Sequence, residues 1–447
     1  MKKFFSRFLG AILISGGVMA GAAEAVQEKP ILKIGVVSDV QGYADPFDWG
    51  MVNLEKAFKM LAPKQPDVIL MVGDLADAAN TDVFEMYMRF SNEIFGGKQP
   101  IHFSCAGNHD YWTAEPMGVR DAKEIYRNFS KFMKQEAANP LRKVINGYDF
   151  ISMSEDADFY SEKMVGELEK VIQEAVKRDN KKPIFVLTHY PPANTVCGSL
   201  KKETDPLTEM FKKYPQVISF SGHTHYPLED ERSIWQKEYT AITTSTLCYG
   251  CMNDRPFNSV NSILPFAREV LQMMYMELYS DRLVIRRYSV ANNCEIKPDK
   301  PWIVPLPFDP ANAPYSFERR AAERKAPEFP ADAKTLLRYD FGFIFLIFDK
   351  ALHDDFVQYY RVKISENGKT IFDEHYVSDF YRLKCHQQDN RMYFRLPGEL
   401  LQKKNTPYRF EIFPVESFGK EGKPLILDAK IPVRYKFREK VRLFPQE

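Results

Sequence analysis

The sequence predicts an α/β domain followed, across a proline-rich stretch, by a small all-β domain. Three observations carry that prediction. From Ile31 to about Phe220, short apolar runs alternate with helix-period patterns. From about Leu336 to Phe437 only strand patterns occur, and prolines from Pro298 to Pro330 punctuate the stretch between.

The amino terminus reads as an export signal. Lys2, Lys3 and Arg7 precede the apolar run Phe8 to Ile14, which Gly16 and Gly17 cut short, and Ala23-Glu24-Ala25 follows as a small-residue cleavage pattern. Residues 1–25 are therefore expected to be a signal peptide, the mature chain to start near Val26, and the protein to be periplasmic or secreted. No cysteine follows the run to take a lipid, and no later segment supplies the ~20 apolar residues of a membrane helix.

The α/β domain is assigned to residues 26–297. Ile31 to Ser38, Asp67 to Val72, Ile101 to Cys105, Pro183 to Thr188 and Gln216 to Phe220 read as buried strands. Leu54, Phe58 and Leu61 mark one helix face between them, and Met164, Leu168, Val171 and Ala175 another. Such alternation builds a sheet covered by helices. Tyr275 to Tyr279 and Leu283 to Ser289 read as a closing hairpin around Ser280-Asp281. Residues 298–335 form the linker, too rich in proline for long helices. In residues 336–447, Asn367-Gly368 joins two alternating runs as a hairpin turn, and roughly 100 residues of this kind suit a fibronectin- or immunoglobulin-like β-sandwich. Such a module binds carbohydrate or a partner, or covers part of the first domain.

Composition excludes several functions. With 45% hydrophobic and 27% charged residues, the 447-residue chain is neither disordered nor fibrous. Lys plus Arg is 61 and Asp plus Glu 60, a net charge of +1, so no global field gathers nucleic acid. Six cysteines permit pairing in an exported chain, and Cys248-Tyr249-Gly250-Cys251 is a lone C-x-x-C, a weak metal or redox signal.

The chemistry gathers after the strands. Asp39-Val40-Gln41, Gly73 to Asp77, Gly107-Asn108-His109-Asp110, Thr188-His189-Tyr190 and Gly222-His223-Thr224-His225 each directly follow a predicted strand. Carboxyl ends of strands in an open α/β sheet share one edge, where ligands bind. Asp, Asn and His from several strands make a donor set for Mn, Fe or Zn.

In order and spacing these clusters resemble the calcineurin-like metallophosphoesterase superfamily, whose pattern is D-x-H, G-D-x-x-D, G-N-H-D/E, H and G-H-x-H. The likeness spans about Ile31 to Ser289. It implies a four-layer α/β/β/α sandwich with two divalent metal ions. One position departs: Gln41 stands where the family has histidine. An amide oxygen is a harder donor than imidazole, which favours Mn²⁺ or Mg²⁺ over Zn²⁺. The D-x-Q variant is similar to that of Mn²⁺-dependent phosphohydrolases acting on nucleoside-diphosphate-type compounds.

Carried over by position, the resemblance implies that Asp39, Gln41, Asp74 and His225 hold one metal. Asp74, Asn108, His189 and His223 would hold the other, with Asp74 bridging. His109 would contact the phosphoryl group or protonate the leaving group, with Asp77 orienting its ring, although Asp77 also reads as a helix N-cap. Asn108, His109 and Tyr190 are the expected substrate contacts. Hydroxide bridging two cations roughly 3.5–4 Å apart would attack phosphorus in line. Since imidazole ligates only when neutral, activity should fall in mild acid. Aromatic residues near the clusters, among them Tyr43, Trp49, Trp112, Tyr190 and Tyr249, serve either a leaving group or loop packing.

The leading expectation is a metallophosphoesterase acting on a small organophosphate outside the cytoplasm. A phosphodiesterase or pyrophosphatase on nucleotide-like or lipid-linked substrates is the first alternative. A non-catalytic binding relative is the second.

Overall fold

The computed structural model describes residues 28–78, 81–112, 122–154, 161–253, 261–340, 343–382, 390–397 and 406–430. The signal peptide expected over residues 1–25, and Cys385, lie outside them.

Apolar runs become strands wherever both faces are covered, and amphipathic runs become the covering helices. In chain order the first part contains β1 (Leu32–Val37), α1 (Trp49–Leu61), β2 (Val68–Val72), α2 (Thr81–Phe95) and β3 (Ile101–Cys105). Next come α3 (Asn108–Tyr111), α4 (Ala122–Met133), β4 (Leu141–Ile145), β5 (Tyr148–Met153), α5 (Glu162–Arg178) and β6 (Ile184–Thr188). Then α6 (Pro206–Phe211), β7 (Val217–Ser221), β8 (Ile234–Gln236), β9 (Thr240–Thr243), β10 (Cys251–Asn253) and β11 (Asn261–Ile263) follow. The last four strands are β12 (Gln272–Leu278), β13 (Arg282–Ser289), β14 (Cys294–Ile296) and β15 (Trp302–Pro305). Side chains set the helix starts: Asp48 accepts from the Met51 N–H (3.1 Å) and Ser161 from the Met164 N–H (3.3 Å).

Two sheets result. One runs β14-β13-β12-β1-β2-β3, with β15 also on β13, and the other β4-β5-β6-β7-β9-β8. Strands β1, β2 and β3 are parallel, as are β6 and β7, so each set delivers its following loops to one edge. The inner faces pack against each other through Ile34, Val36, Leu70 and Phe103 on one side and Phe150, Phe185, Leu187 and Phe220 on the other. The outer face of the first sheet carries α1, α2 and α4, through Leu54, Phe58, Phe84 and Phe129. That of the second carries α5 and α6, through Leu168, Ile172, Leu207 and Phe211. Four layers, α/β/β/α, are thus present. The buried stripe of α5 is Val165, Leu168, Ile172 and Ala175, with Met164 and Val171 only partly covered. That is a rotation from the face the sequence indicates, because Met164 and Val171 flank the stripe rather than centre it.

The proline-rich stretch is packed down. Its strand β15 belongs to the first sheet, where Trp302 is buried. Its short helix α7 (Phe317–Glu323) carries Arg320, which is buried and donates to the carbonyls of Glu231, Ile234 and Tyr315.

Beyond it, β16 (Thr335–Asp340), β17 (Phe343–Asp349), β18 (Val357–Glu366), β19 (Lys369–Val377), β20 (Arg391–Leu396), β21 (Pro407–Glu416) and β22 (Leu425–Lys430) form two sheets. Their orders are β16-β17-β20 and β19-β18-β21-β22, and Leu346, Phe348 and Phe394 of one meet Tyr360, Val362 and Phe410 of the other. At the β18–β19 turn, Asn367 (φ 49°) and Gly368 (φ 79°) are both left-handed, which matches the twist of the strands they join. Among the described residues, no helix is long and apolar enough to cross a membrane.

Candidate metal centre

Loops leaving β1, β2 and β6 bring Asp39, Asp74 and His189 together. One ligand atom from each lies within 4.8 Å of the others, and all three side chains are buried. His225, after β7, presents Nε2 3.0 Å from Asp39 Oδ1. His223 Nδ1 and Asn108 Oδ1 are 3.2 Å apart at the rim. Backbone donors tie the same carboxylates down: the His109 N–H to Asp74 Oδ1 and the His223 N–H to Asp39 Oδ1, each at 2.9 Å. Gln41 is held by its N–H to the Asp74 carbonyl (2.9 Å), and its side chain bonds the Tyr249 hydroxyl.

The ring tautomers follow from the partners. His189 Nδ1 faces the Val72 carbonyl at 3.0 Å and His225 Nδ1 the Tyr249 carbonyl at 2.7 Å. A carbonyl only accepts, so both Nδ1 atoms carry hydrogen. His189 Nε2 then points at Asp74 Oδ2, 3.1 Å away, without hydrogen-bond geometry. His189 Nε2 and Asp39 Oδ2 are buried polar atoms with no hydrogen-bond partner. Buried donors and acceptors left so are rare, and here both belong to residues whose ligand atoms lie within 4.8 Å of each other. Divalent cations fit this set: anionic oxygens, an imidazole lone pair and backbone bonds that fix the remaining atoms.

Electrostatics agree. Burial alone would lower the pKa of His189, yet the charges of Asp74 and Asp39 push it up to about 10. The pocket therefore draws positive charge strongly. Burial would raise the Asp74 carboxyl, but His189 and His109 hold it well below the usual carboxylate range.

The backbone is bent to deliver these groups. Asp39, Gln41, Asp74, His223 and His225 have φ of 49°, 47°, 55°, 64° and 52°. Left-handed non-glycine residues cost energy and cluster at functional sites. Gly107 and Gly222 are needed for close approach, because a Cβ there would overlap an Asp74 or Asp39 carboxylate oxygen.

His109 lies half-buried on α3. Its Nδ1 is 2.7 Å from Asp77 Oδ1, and the Tyr43 hydroxyl donates to the other Asp77 oxygen. The His109 bond, foremost, holds the Asp77 pKa down, so the carboxylate accepts from both. Burial lowers the His109 pKa, but the Asp77 bond and the nearby carboxylates more than offset it, leaving it raised. Trp112 packs on the His109 ring and Tyr190 on that of His223, each with centroids 4.0 Å apart.

Asp110 closes the Gly107–Asp110 cluster, and its residue type alone assigns it no ligand role. It is buried and accepts three backbone N–H bonds, from Asp74, Ala76 and Gly107, all at 2.9 Å. It thereby locks the loops that carry Asp74 and Asn108 to each other, and burial beside Asp74 pushes its pKa up to about 7. The carbonyls of Val72 and Tyr249 also escaped the reading, since main-chain acceptors leave no trace in residue type. Cys248 and Cys251 are free, and burial pushes each thiol up to about 12, away from thiolate chemistry.

No curated protein shows a sequence match to the chain. Among solved structures, it is similar to a dimetal phosphatase from Danio rerio, at 11% identity and a TM-score of 0.44 over 60% of this chain and 99% of that one. It is also similar to a purple acid phosphatase from yellow lupin (Lupinus luteus) seeds, at 12% identity and 0.38 over 59% and 52%. The family model for calcineurin-like phosphoesterases matches residues 32–227, the stretch that supplies the whole cluster described above. Those residues form a calcineurin-like phosphoesterase domain, and the chain is a hydrolase of phosphoric esters.

Proposed function

We propose that the protein cleaves a small organophosphate outside the cytoplasm with two divalent cations, manganese favoured. Supporting this foremost is the buried His189 Nε2, 3.1 Å from Asp74 Oδ2 and without a hydrogen bond. Asp39, Gln41, Asp74 and His225 are the proposed donors to one cation, and Asp74, Asn108, His189 and His223 to the other. When bound, the cations supply Lewis acidity for the phosphoryl oxygens and for an attacking water.

The chain's own groups do the rest. With Nδ1 committed to Asp77, His109 keeps Nε2 for the ester, where it hands a proton to the departing oxygen. Tyr43 and Asp77 stop the ring from turning away. Asn108 and Tyr190, at the half-buried rim, are the proposed substrate contacts beside His109. The basic, apolar and small-residue pattern of residues 1–25 supports the extracytoplasmic setting, and the alternating strands of the C-terminal domain support a fibronectin- or immunoglobulin-like module.

The test is metal analysis of purified protein together with phosphate release from sugar, nucleotide and lipid-head-group esters in Mn²⁺. Two equivalents of metal and release that stops on chelation are expected. Faster cleavage of bis-p-nitrophenyl phosphate than of p-nitrophenyl phosphate would shift the reading to a phosphodiesterase. Less than one equivalent of metal, with His109→Ala changing no rate, would overturn it.

A further inference from the structure

His225 is gripped from one side by a single stretch of chain. Its Nδ1–H donates to the Tyr249 carbonyl (2.7 Å), and its own carbonyl accepts from the Cys251 N–H (3.0 Å). The next residue, Tyr226, is fully buried, donates its hydroxyl to Asn253 Oδ1 and accepts from the Asn253 N–H at 3.0 Å. Residues 249–253 therefore fix both the ring and the backbone of this part of the site.

That stretch is seated on the C-terminal domain. The Tyr359 hydroxyl donates to the Asn253 carbonyl at 2.8 Å, and Tyr359 packs with Tyr226, Met252 and Val270 in one buried cluster. Close by, the Tyr381 hydroxyl donates to the Pro265 carbonyl (2.7 Å) and Arg382 pairs with Glu269 (3.0 Å). Side chains on a strand alternate in direction, so neighbouring residues of β18 serve different partners. Tyr359 faces the catalytic domain, whereas Tyr360 enters the core of its own domain and accepts the Ala351 N–H at 3.0 Å. Both are 1% exposed.

We infer that Tyr359 is a positioning residue for the metal centre: through Asn253 it holds the segment that aims His225 Nε2 at Asp39. The C-terminal domain is then a working part of the site rather than a separate module. This rests on His225 being a metal ligand, and the Tyr359–Tyr360 pair supplies the control. Substitution of either by phenylalanine removes one buried hydroxyl from the same strand, but only the Tyr359 hydroxyl is bonded to a segment that leads to the metal centre.

The experiment titrates metal-free full-length protein with Mn²⁺ by calorimetry, for the wild type, Tyr359→Phe, Tyr360→Phe and His225→Ala, with melting temperatures recorded alongside. Tyr359→Phe should weaken one Mn²⁺ step by about tenfold, the low end for partners that orient ligating histidines. Its turnover should recover at high Mn²⁺. Tyr360→Phe should lose similar thermal stability and bind Mn²⁺ like the wild type. Equal Mn²⁺ affinity for Tyr359→Phe and Tyr360→Phe, with His225→Ala weakened, would overturn this inference alone. Unchanged affinity in His225→Ala would remove the ligand assignment beneath it, and the inference with it.

Discussion

Two of the buried histidines of the α/β domain, His102 at 5% exposure and His189 at 0%, belong to different kinds of structure. His102, near the start of β3, has both nitrogens engaged, Nδ1 with the Tyr87 hydroxyl and Nε2 with Ser91 Oγ, each at 2.8 Å. Ser91 spends its own hydrogen on Gln99 Oε1 (2.9 Å), so it accepts from His102 Nε2–H, and Tyr87 donates to Nδ1. Every valence is closed inside the protein. His189, beyond the end of β6, has Nδ1 closed by Val72 and Nε2 open toward two carboxylates. Burial does not separate a structural histidine from a ligand; the partner of the second nitrogen does.

The contrast breaks most sharply on removal. His189→Ala should lower turnover at least about a thousandfold, the upper end of what one lost transition-state donor costs, and abolish one metal equivalent. His102→Leu should leave turnover per folded molecule unchanged. Steady-state assays with metal analysis of both variants check this, and a large rate loss in His102→Leu would break the comparison.

His109 is intermediate, one nitrogen closed by Asp77 and the other proposed to meet the substrate. His109→Asn should cost roughly 10²–10⁴ in kcat, and Asp77→Asn about 10–100-fold, with neither changing the metal content. Parallel kcat and metal measurements decide it.

The next effect is on stability. His102→Leu strands the buried Tyr87 hydroxyl and should cost about 1–3 kcal/mol in urea unfolding at neutral pH. Burial lowers the His102 pKa to about 4. The native state refuses a proton that the unfolded chain accepts below about 6.5. The stabilisation tied to the neutral ring is therefore complete above pH ~6.5 and is lost as pH falls toward ~4, by on the order of 3 kcal/mol. The stability gap between wild type and His102→Leu should narrow over that window, and a gap independent of pH would contradict the closed-valence account.

The smallest change adds a histidine. Gln41→His should move the preference from Mn²⁺ toward Zn²⁺, by about tenfold or less, since imidazole is the softer donor. Competition titrations of the two metals measure it.

Much of this was legible in the chain. Five strand-end clusters could be found because the strands before them are short and mostly apolar and the donors are residue types with metal chemistry. The short strands β4, β8, β9, β10 and β11 were not, because three to five residues of mixed polarity carry no period. Asp110 was visible as a residue but not as a clamp, since its partners are main-chain N–H groups, Gly107 in its own loop and Asp74 and Ala76 in the loop after β2. Tyr359 lies more than a hundred residues from the stretch it steadies, in a strand with no clean polar face. Pairings at that distance are set by how the domains dock, which local pattern does not encode.

The left-handed backbone at Asp39, Gln41, Asp74, His223 and His225 limits what an engineer can gain here. Selection for heat tolerance alone would drift toward glycine at these five places, relaxing the chain while discarding the groups proposed to grip the ions. A hardier protein obtained that way would be inert, so any campaign to toughen this enzyme should leave those positions fixed and work on its exterior.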